Sequence, residues 1–340
     1  MMCLLDSFRG FPVLGLAVVK HALNFLSFLN FRIRYFKGKH TLIKGLSRSF
    51  VKNANLESYS VDTIHGFRFN VASKLCLDQV LWNCEPFTAK VMAELAPLID
   101  SFIDVGANRG FYSLLLKSIN PDISVMAFEP EKMVFKKLEE NINLNSYDSI
   151  HCHNLALEER ITKKKLYTYS VGNDGMHTLT PVSFQDTTSQ MVQVMPLDNF
   201  LLGSAYSLAS ILIKIDTEGS EDEVLLGASK LLQSSPILII ELNEHMRDKS
   251  RSISLPRESS DSSRSSSKEV KRRSIAKLKI NNLINTGYEC FWIDEREHLV
   301  SVSSVNTLPH HSLLGEKHGA NYLFIPKGFI LPQKLSVLVN

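Results

Sequence analysis

Four short apolar runs of this chain each carry or meet an acid at their end. Asp104 sits in Phe102-Ile-Asp-Val105, Glu129 follows Ala127-Phe128, Asp216 follows Ile211-Leu-Ile-Lys-Ile215, and Glu241 follows Ile237-Leu-Ile-Ile240. In a parallel sheet such ends line the crevice at the carboxyl edge, where ligands bind. Asp104 leads into the turn Gly106-Ala-Asn-Arg-Gly110, whose glycines let the backbone approach a ligand where a Cβ would collide. Glu129 stands about twenty residues further on, where an acid can accept hydrogen bonds from both hydroxyls of a ribose. The spacing G-x-x-x-G is not the G-x-G-x-x-G of dinucleotide sites, and no arginine cluster answers a pyrophosphate. These residues therefore suit an adenosine of little negative charge, which is the character of S-adenosylmethionine.

Each position has a role on this reading. Asp104, Gly106, Ala107, Asn108 and Gly110 surround the amino-acid end of the ligand, and the Asn108 side chain can bond its carboxylate or ammonium. Arg109 points either to solvent or to that carboxylate. Glu129 binds the ribose diol; as a plain structural acid it would serve the N-terminus of the helix that begins after Pro130. Asn154 sits at the adenine edge. For the chemistry, Lys214 and Asp216 share one face of their strand, and opposite charges there must pair or serve a ligand. Asp216 is the first choice for positioning or deprotonating an acceptor. Glu218 can do the same, or cap the next helix with Ser220. His245 is a candidate general base or a surface residue. Asp216, Glu241 and His245 form an alternative set for a divalent cation, although no residue is assigned to a metal. A hydroxyl acceptor needs such a base, because a free alcohol is a poor nucleophile near neutral pH.

The elements that must hold these residues alternate between strand and helix. Strand 102–105 leads to helix 110–119, strand 124–128 to helix 132–143, and strand 150–155 follows. Lys165–Tyr169 and Met191–Met195 read as an antiparallel excursion around Val171-Gly-Asn-Asp-Gly175. Strand 211–215 then leads to helix 220–232 and strand 237–241, and helix 270–284 with strands 288–293 and 321–325 closes the chain. A hairpin over 57–73, turning at Gly66, and a helix over 86–97 precede this core. Such alternation implies an α/β fold with a mostly parallel sheet covered on both faces.

Three segments occur in order: Asp104-Val-Gly-Ala-Asn-Arg-Gly110, Glu129-Pro130 with Asn141-Ile-Asn-Leu-Asn145 downstream, and Lys214-Ile-Asp-Thr-Glu-Gly-Ser-Glu221. Together they resemble the FkbM family of S-adenosylmethionine-dependent methyltransferases, over about residues 60–245 and again near Asn321–Pro326. The resemblance implies a Rossmann-like class I methyltransferase sheet, seven-stranded and mostly parallel with an antiparallel C-terminal strand. It also implies O-methylation of a hydroxyl on a sugar, glycan or other small metabolite. Two other readings stand beside it. One is a nucleotide-dependent oxidoreductase, which the glycine spacing opposes. The other is a membrane-peripheral binding module that keeps the fold without chemistry.

That last reading draws on the N-terminus. Residues 1–52 hold nine Lys and Arg against the single acid Asp6, in a chain whose net charge is +3. Apolar positions from Phe11 to Leu29 recur at spacings of three and four, as in an amphipathic helix, and Arg32-Ile-Arg-Tyr-Phe-Lys-Gly-Lys39 follows. Residues 11–52 thus suit peripheral membrane contact, or packing on the domain or a second subunit; polar residues within the run oppose a spanning helix. Five cysteines without a C-x-x-C pair fit a reducing, cytoplasmic setting. Nothing in the core forms the basic, aromatic groove of a nucleic-acid binder. Ser250–Ser267 holds ten serines and cannot bury enough apolar area to order itself. The expected division is 1–55 basic amphipathic helical extension, 56–98 lead-in hairpin and helix, 99–248 methyltransferase-like core, 249–268 serine-rich insertion, and 269–330 the remainder of the core.

Overall fold

The computed structural model describes residues 60–242 and 283–339, apart from 64, 72–75, 77–78, 81–84, 170–176, 180–186, 203–208, 286 and 304–319. The N-terminal extension, the glycine turn at 171–175, His245, the serine-rich insertion and nearly all of the expected helix 270–284 lie outside the described residues.

The frame is one eight-stranded sheet built on strands with no polar face. Strands β3 (Ser101–Val105) and β10 (Ile211–Ile215) are buried at every position, because helices cover both sides of the sheet. Parallel neighbours extend from them. On one side run β4 (Ser124–Phe128) and β5 (Ile150–His153), and on the other β11 (Ile237–Leu242). β14 (Ala320–Pro326) pairs antiparallel to β11, and β12 (Tyr288–Asp294) antiparallel to β14. The order β12-β14-β11-β10-β3-β4-β5, with β14 alone reversed, is the Rossmann-like class I methyltransferase sheet. β13 (His298–Val302) adds an eighth strand as a hairpin on β12. The sequence offers no apolar run for it: its edge position buries only Leu299 and Val302.

The helices follow their apolar stripes. α1 (Pro86–Leu95) precedes β3 and continues as a 3-10 turn over Ala96–Leu98. α2 (Phe111–Ile119) crosses to β4, and α3 (Lys132–Asn143) to β5. The lead-in hairpin is β1 (Ser60–Asp62) with β2 (Arg68–Asn70), turning at Gly66, where φ is 83°. Phe67 and Phe69 pack their ring edges against Phe111 at 5.7 and 5.8 Å, fixing the hairpin over the start of α2.

Two expectations need correction. Strand 150–155 stops at His153, where Leu155 N–H turns back to the His153 carbonyl at 2.9 Å. The single helix 220–232 is instead α5 (Glu221–Gly227) followed by a 3-10 turn, Leu231–Ser234. The break has a cause. Asp198, in the short helix α4 (Leu197–Phe200), takes the N–H groups of Lys230 and Leu231 at 2.8 and 3.0 Å, so a new helical start is capped there.

The excursion is a separate small sheet in the order β6 (Ala156–Leu157), β9 (Thr187–Met195), β7 (Thr162–Tyr169), β8 (His177–Thr178). A last short helix, α6 (Gln333–Ser336), packs against α1. Among the described residues no helix is long and apolar enough to cross a membrane.

Candidate active site

The turn after β3 is held by its neighbours rather than by its own side chains. Gly106 and Ala107 donate their N–H groups to the Phe128 carbonyl at 3.0 and 2.9 Å, tying the turn to the end of β4. Gly106 has φ +82°, and a Cβ there would stand 1.9 Å from the Asp216 carbonyl oxygen. The turn and the end of β10 are therefore in backbone contact, which only glycine permits. Asn108 takes a left-handed φ of 50°, and its Oδ1 is buried without a hydrogen-bond partner.

Glu129 closes this half of the cleft. It is buried, one oxygen accepting from Asn108 N–H at 3.0 Å and the other from Glu131 N–H at 2.8 Å. Burial pushes its carboxyl up to about 8, although the two backbone donors pull the other way. The helix-end role goes to Glu131, which accepts from Val134 N–H at 2.6 Å as the cap of α3. Asn154, expected at the adenine edge, donates to the carbonyls of Glu129 and Pro130 at 2.9 and 3.1 Å and so braces the loop after β4. Asp104 accepts from the Ser113 hydroxyl at 2.7 Å. Burial raises its carboxyl to about 6, against the pull of Ser113 and Lys214.

The other half of the cleft gathers charge. Lys214 Nζ bonds Asp216 Oδ2 at 2.6 Å and lies 4.9 Å from the centre of the Tyr112 ring. The Lys214 side chain is 2% exposed and that of Asp216 is 26% exposed, so the carboxylate faces the opening and the ammonium lies beneath it. Burial alone would lower the Lys214 pKa, but the carboxylates of Asp216, Glu85 and Glu241 raise it. Asp216 is held below the usual range: burial works against its charge, and Lys214 outweighs it. Glu241 is raised well above its ordinary value by burial and by the charges of Asp216, Glu85 and Glu218.

Glu85, Tyr112 and Asn321 complete this group, and sequence reasoning missed all three. Glu85 precedes α1 with a left-handed φ of 45° and turns its carboxylate into the cleft. There it accepts from the Tyr112 hydroxyl at 2.7 Å and the Asn321 amide at 2.6 Å. Glu295, after β12, replaces it at the start of α1, accepting from Phe87 and Thr88 N–H at 2.7 and 3.3 Å. Asn321 lies opposite Glu241 in the β11–β14 ladder. The sequence signals were a charged residue just before Pro86 and an asparagine opening an otherwise apolar strand; neither marks a partner more than two hundred residues away.

The structure reassigns one expected role. Ser220, at the N-cap position of α5, makes no side-chain cap hydrogen bond. Glu221 binds the loop instead, one oxygen accepting from Thr217 N–H, Gly219 N–H and the Thr217 hydroxyl at 3.1, 2.9 and 3.0 Å. Glu218 takes a left-handed φ of 54°, and its carbonyl accepts from Thr178 of the small sheet at 2.8 Å. Asp104, Asn108, Glu129, Asp216 and Glu218 thus stand at or just beyond the carboxyl ends of β3, β4 and β10, which are neighbours in the sheet. Among the described residues no group of His, Cys, Asp and Glu has the arrangement of a metal site.

The asparagines of the second segment have a mechanical part. Asn141 accepts from Asn70 N–H at 3.0 Å and donates to the Arg109 carbonyl at 2.8 Å. Asn145, one helical turn on, accepts from Arg68 N–H at 2.7 Å and donates to the Arg68 carbonyl at 2.9 Å. Two carboxamides so act as a strand edge for β2 and hold the turn at Arg109 in place.

The chain is similar to known proteins in part of its length. Residues 104–254 match the methyltransferase FkbM domain. Methyltransferase 1 of Beauveria bassiana (strain ARSEF 2860) is 30% identical over 147 residues, covering 38% of this chain and 58% of the relative. The chain thus spans little more than half the length of that curated relative. Solved structures similar to it include precorrin-6y C5,15-methyltransferase from Geobacter metallireducens GS-15, with a TM-score of 0.35, 10% identity and coverage of 71% of this chain and 87% of that one. An rRNA methylase from Streptococcus thermophilus gives a TM-score of 0.30, 9% identity and coverage of 72% and 93%.

Proposed function

We propose that this chain, whose residues 104–254 are a methyltransferase FkbM domain, transfers a methyl group from S-adenosylmethionine to a hydroxyl of a sugar, glycan or other small metabolite. The observation that carries the reading is Glu129. A buried carboxyl at the end of β4 keeps acceptor capacity beyond the two backbone donors that hold it. Its two backbone bonds, to Asn108 and Glu131, leave lone pairs for the two hydroxyls of a ribose. The residues fit the donor at its other end too, where the buried, unpartnered Asn108 Oδ1 suits an ammonium.

When bound, S-adenosylmethionine supplies an electrophilic methyl carbon. The protein must then align an acceptor oxygen with that carbon, and much of the rate comes from such positioning. Asp216 is suited to it: Lys214 keeps the carboxylate ionised and fixes its rotamer, so it accepts the acceptor hydroxyl in one orientation. Glu218 borders the same opening. Ionised carboxylates there take up the hydroxyl proton as the new bond forms.

The test is calorimetric titration with S-adenosylhomocysteine, with NAD as control, repeated on Glu129→Ala. Binding that the substitution abolishes, with no heat from NAD, supports the reading. Binding of NAD and not of S-adenosylhomocysteine overturns it.

A further inference from the structure

Among the described residues the acceptor side of the cleft holds more carboxylates than ammonium groups. Three carboxylates, Glu85, Asp216 and Glu241, come from the start of α1 and the ends of β10 and β11, and all three act on Lys214. Glu218 adds a fourth charge from the loop beyond β10. The donors here are already engaged, with Lys214 Nζ on Asp216 and the Tyr112 hydroxyl on Glu85. A second observation comes from another strand. Asn321 is 4% exposed, its amide nitrogen binds Glu85, and its Oδ1 is buried with no partner. It stands opposite Glu241 in the ladder, so an unanswered acceptor sits among the acids. Unmatched acceptors and surplus negative charge call for one kind of ligand, a cation that donates hydrogen bonds.

We propose that Glu85, Asp216, Glu241 and Asn321 form a subsite for an ammonium group on the methyl acceptor, so that the substrate is an amine-bearing hydroxyl compound such as an amino sugar. The inference rests on the methyltransferase reading and narrows its acceptor class. It also gives Glu241 a defined part. Glu241 faces the charges of Asp216, Glu85, Glu218 and Lys214, and burial raises its carboxyl well above its ordinary value, so an arriving ligand cation favours its ionised form.

The probes are two adenosine analogues, compared by calorimetry with S-adenosylmethionine. S-adenosylhomocysteine has a neutral thioether at the transfer position; sinefungin has an amine-bearing carbon there and presents an ammonium to the acceptor side. Sinefungin is expected to bind about tenfold tighter than S-adenosylhomocysteine. It should also release more protons on binding, read from the dependence of the heat on buffer ionisation. Glu85→Gln and Glu241→Gln, made separately, should each remove most of the sinefungin advantage while S-adenosylhomocysteine still binds, and Glu241→Gln should remove the extra proton release. S-adenosylmethionine distinguishes the source of the charge. Affinity near that of S-adenosylhomocysteine means that the subsite needs N–H donors, as proposed. Affinity matching sinefungin, with the same loss in both variants, means that it serves the donor's sulfonium, and overturns the ammonium assignment. Equal binding of sinefungin and S-adenosylhomocysteine overturns the subsite and leaves the donor reading standing. Failure of all three to bind overturns both.

Discussion

Removing the buried ammonium at Lys214 is the sharpest probe of the cleft. Lys214→Met keeps the volume and the apolar stem but leaves Asp216, Glu85 and Glu241 without their shared countercharge. Breaking a buried ion pair from one side costs about 3–5 kcal/mol. Asp216 is 26% exposed, so water screens part of that charge, and we expect about 2–3 kcal/mol at pH 7. For a domain of this size that lowers Tm by about 5–10 °C. Asp216→Asn should cost less, because Glu85 and Glu241 still face the lysine. The double variant should recover about 1–2 kcal/mol relative to the sum of the singles, as residues in one charge network do. The pH dependence has a definite sign. The native pKa of Asp216 is depressed, so its contribution is present above its unfolded value and fades as pH falls through the native one. That of Lys214 is raised, so its contribution is complete below its unfolded value and is lost only in strong alkali. Without the lysine the carboxylates repel, and protonation relieves them; the gap between wild type and Lys214→Met should therefore narrow between pH 7 and pH 5. Urea unfolding followed by tryptophan fluorescence measures all of this. Strictly additive costs, or a gap that stays constant with pH, would refute the reasoning.

Three further outcomes are expected. Glu129 is raised to about 8 by burial, and in the proposed function its ionised form would accept two ribose hydroxyls, so affinity for S-adenosylhomocysteine should climb as pH rises toward 8; Glu129→Gln should bind weakly and without that slope in a pH series by calorimetry. Gly106→Ala should cost about 2–5 kcal/mol from the left-handed backbone and the clash with the Asp216 carbonyl, seen in thermal melts together with loss of S-adenosylhomocysteine binding. Glu295→Ala should cost about 1–2 kcal/mol by uncapping α1, and hydrogen exchange should find the added opening at Phe87 and Thr88 N–H.

The sheet was readable because its central strands are buried on both faces. Ile211-Leu-Ile-Lys-Ile215 has no solvent face to encode, so it stands out as an apolar run, and the acid after it marks the strand's end. The same logic explains what was missed. β13 lies at an edge, and its alternation is broken by His298 and Ser301. The split of helix 220–232 depends on Asp198, about thirty residues earlier, reaching two N–H groups that no local pattern marks as free. Lys214 and Asp216 were legible as a pair because strand geometry alone puts them on one face. Glu85 and Asn321 were not, because their roles exist only once α1 and β14 meet across the cleft.

Asn141 of α3 carries one more consequence, and it concerns force. Ser60 pairs with Asn70, Asn70 N–H is held by Asn141, and Asn141 holds the carbonyl of Arg109, in the middle of the turn that begins at Gly106. A tug on the chain at Ser60 travels through three links before it reaches that turn, and none of them is a flexible loop. Whatever takes hold of the polypeptide ahead of Ser60, whether a lipid surface, a second protein or a surface tether in a single-molecule experiment, therefore pulls on a path that ends at the Gly106–Gly110 turn.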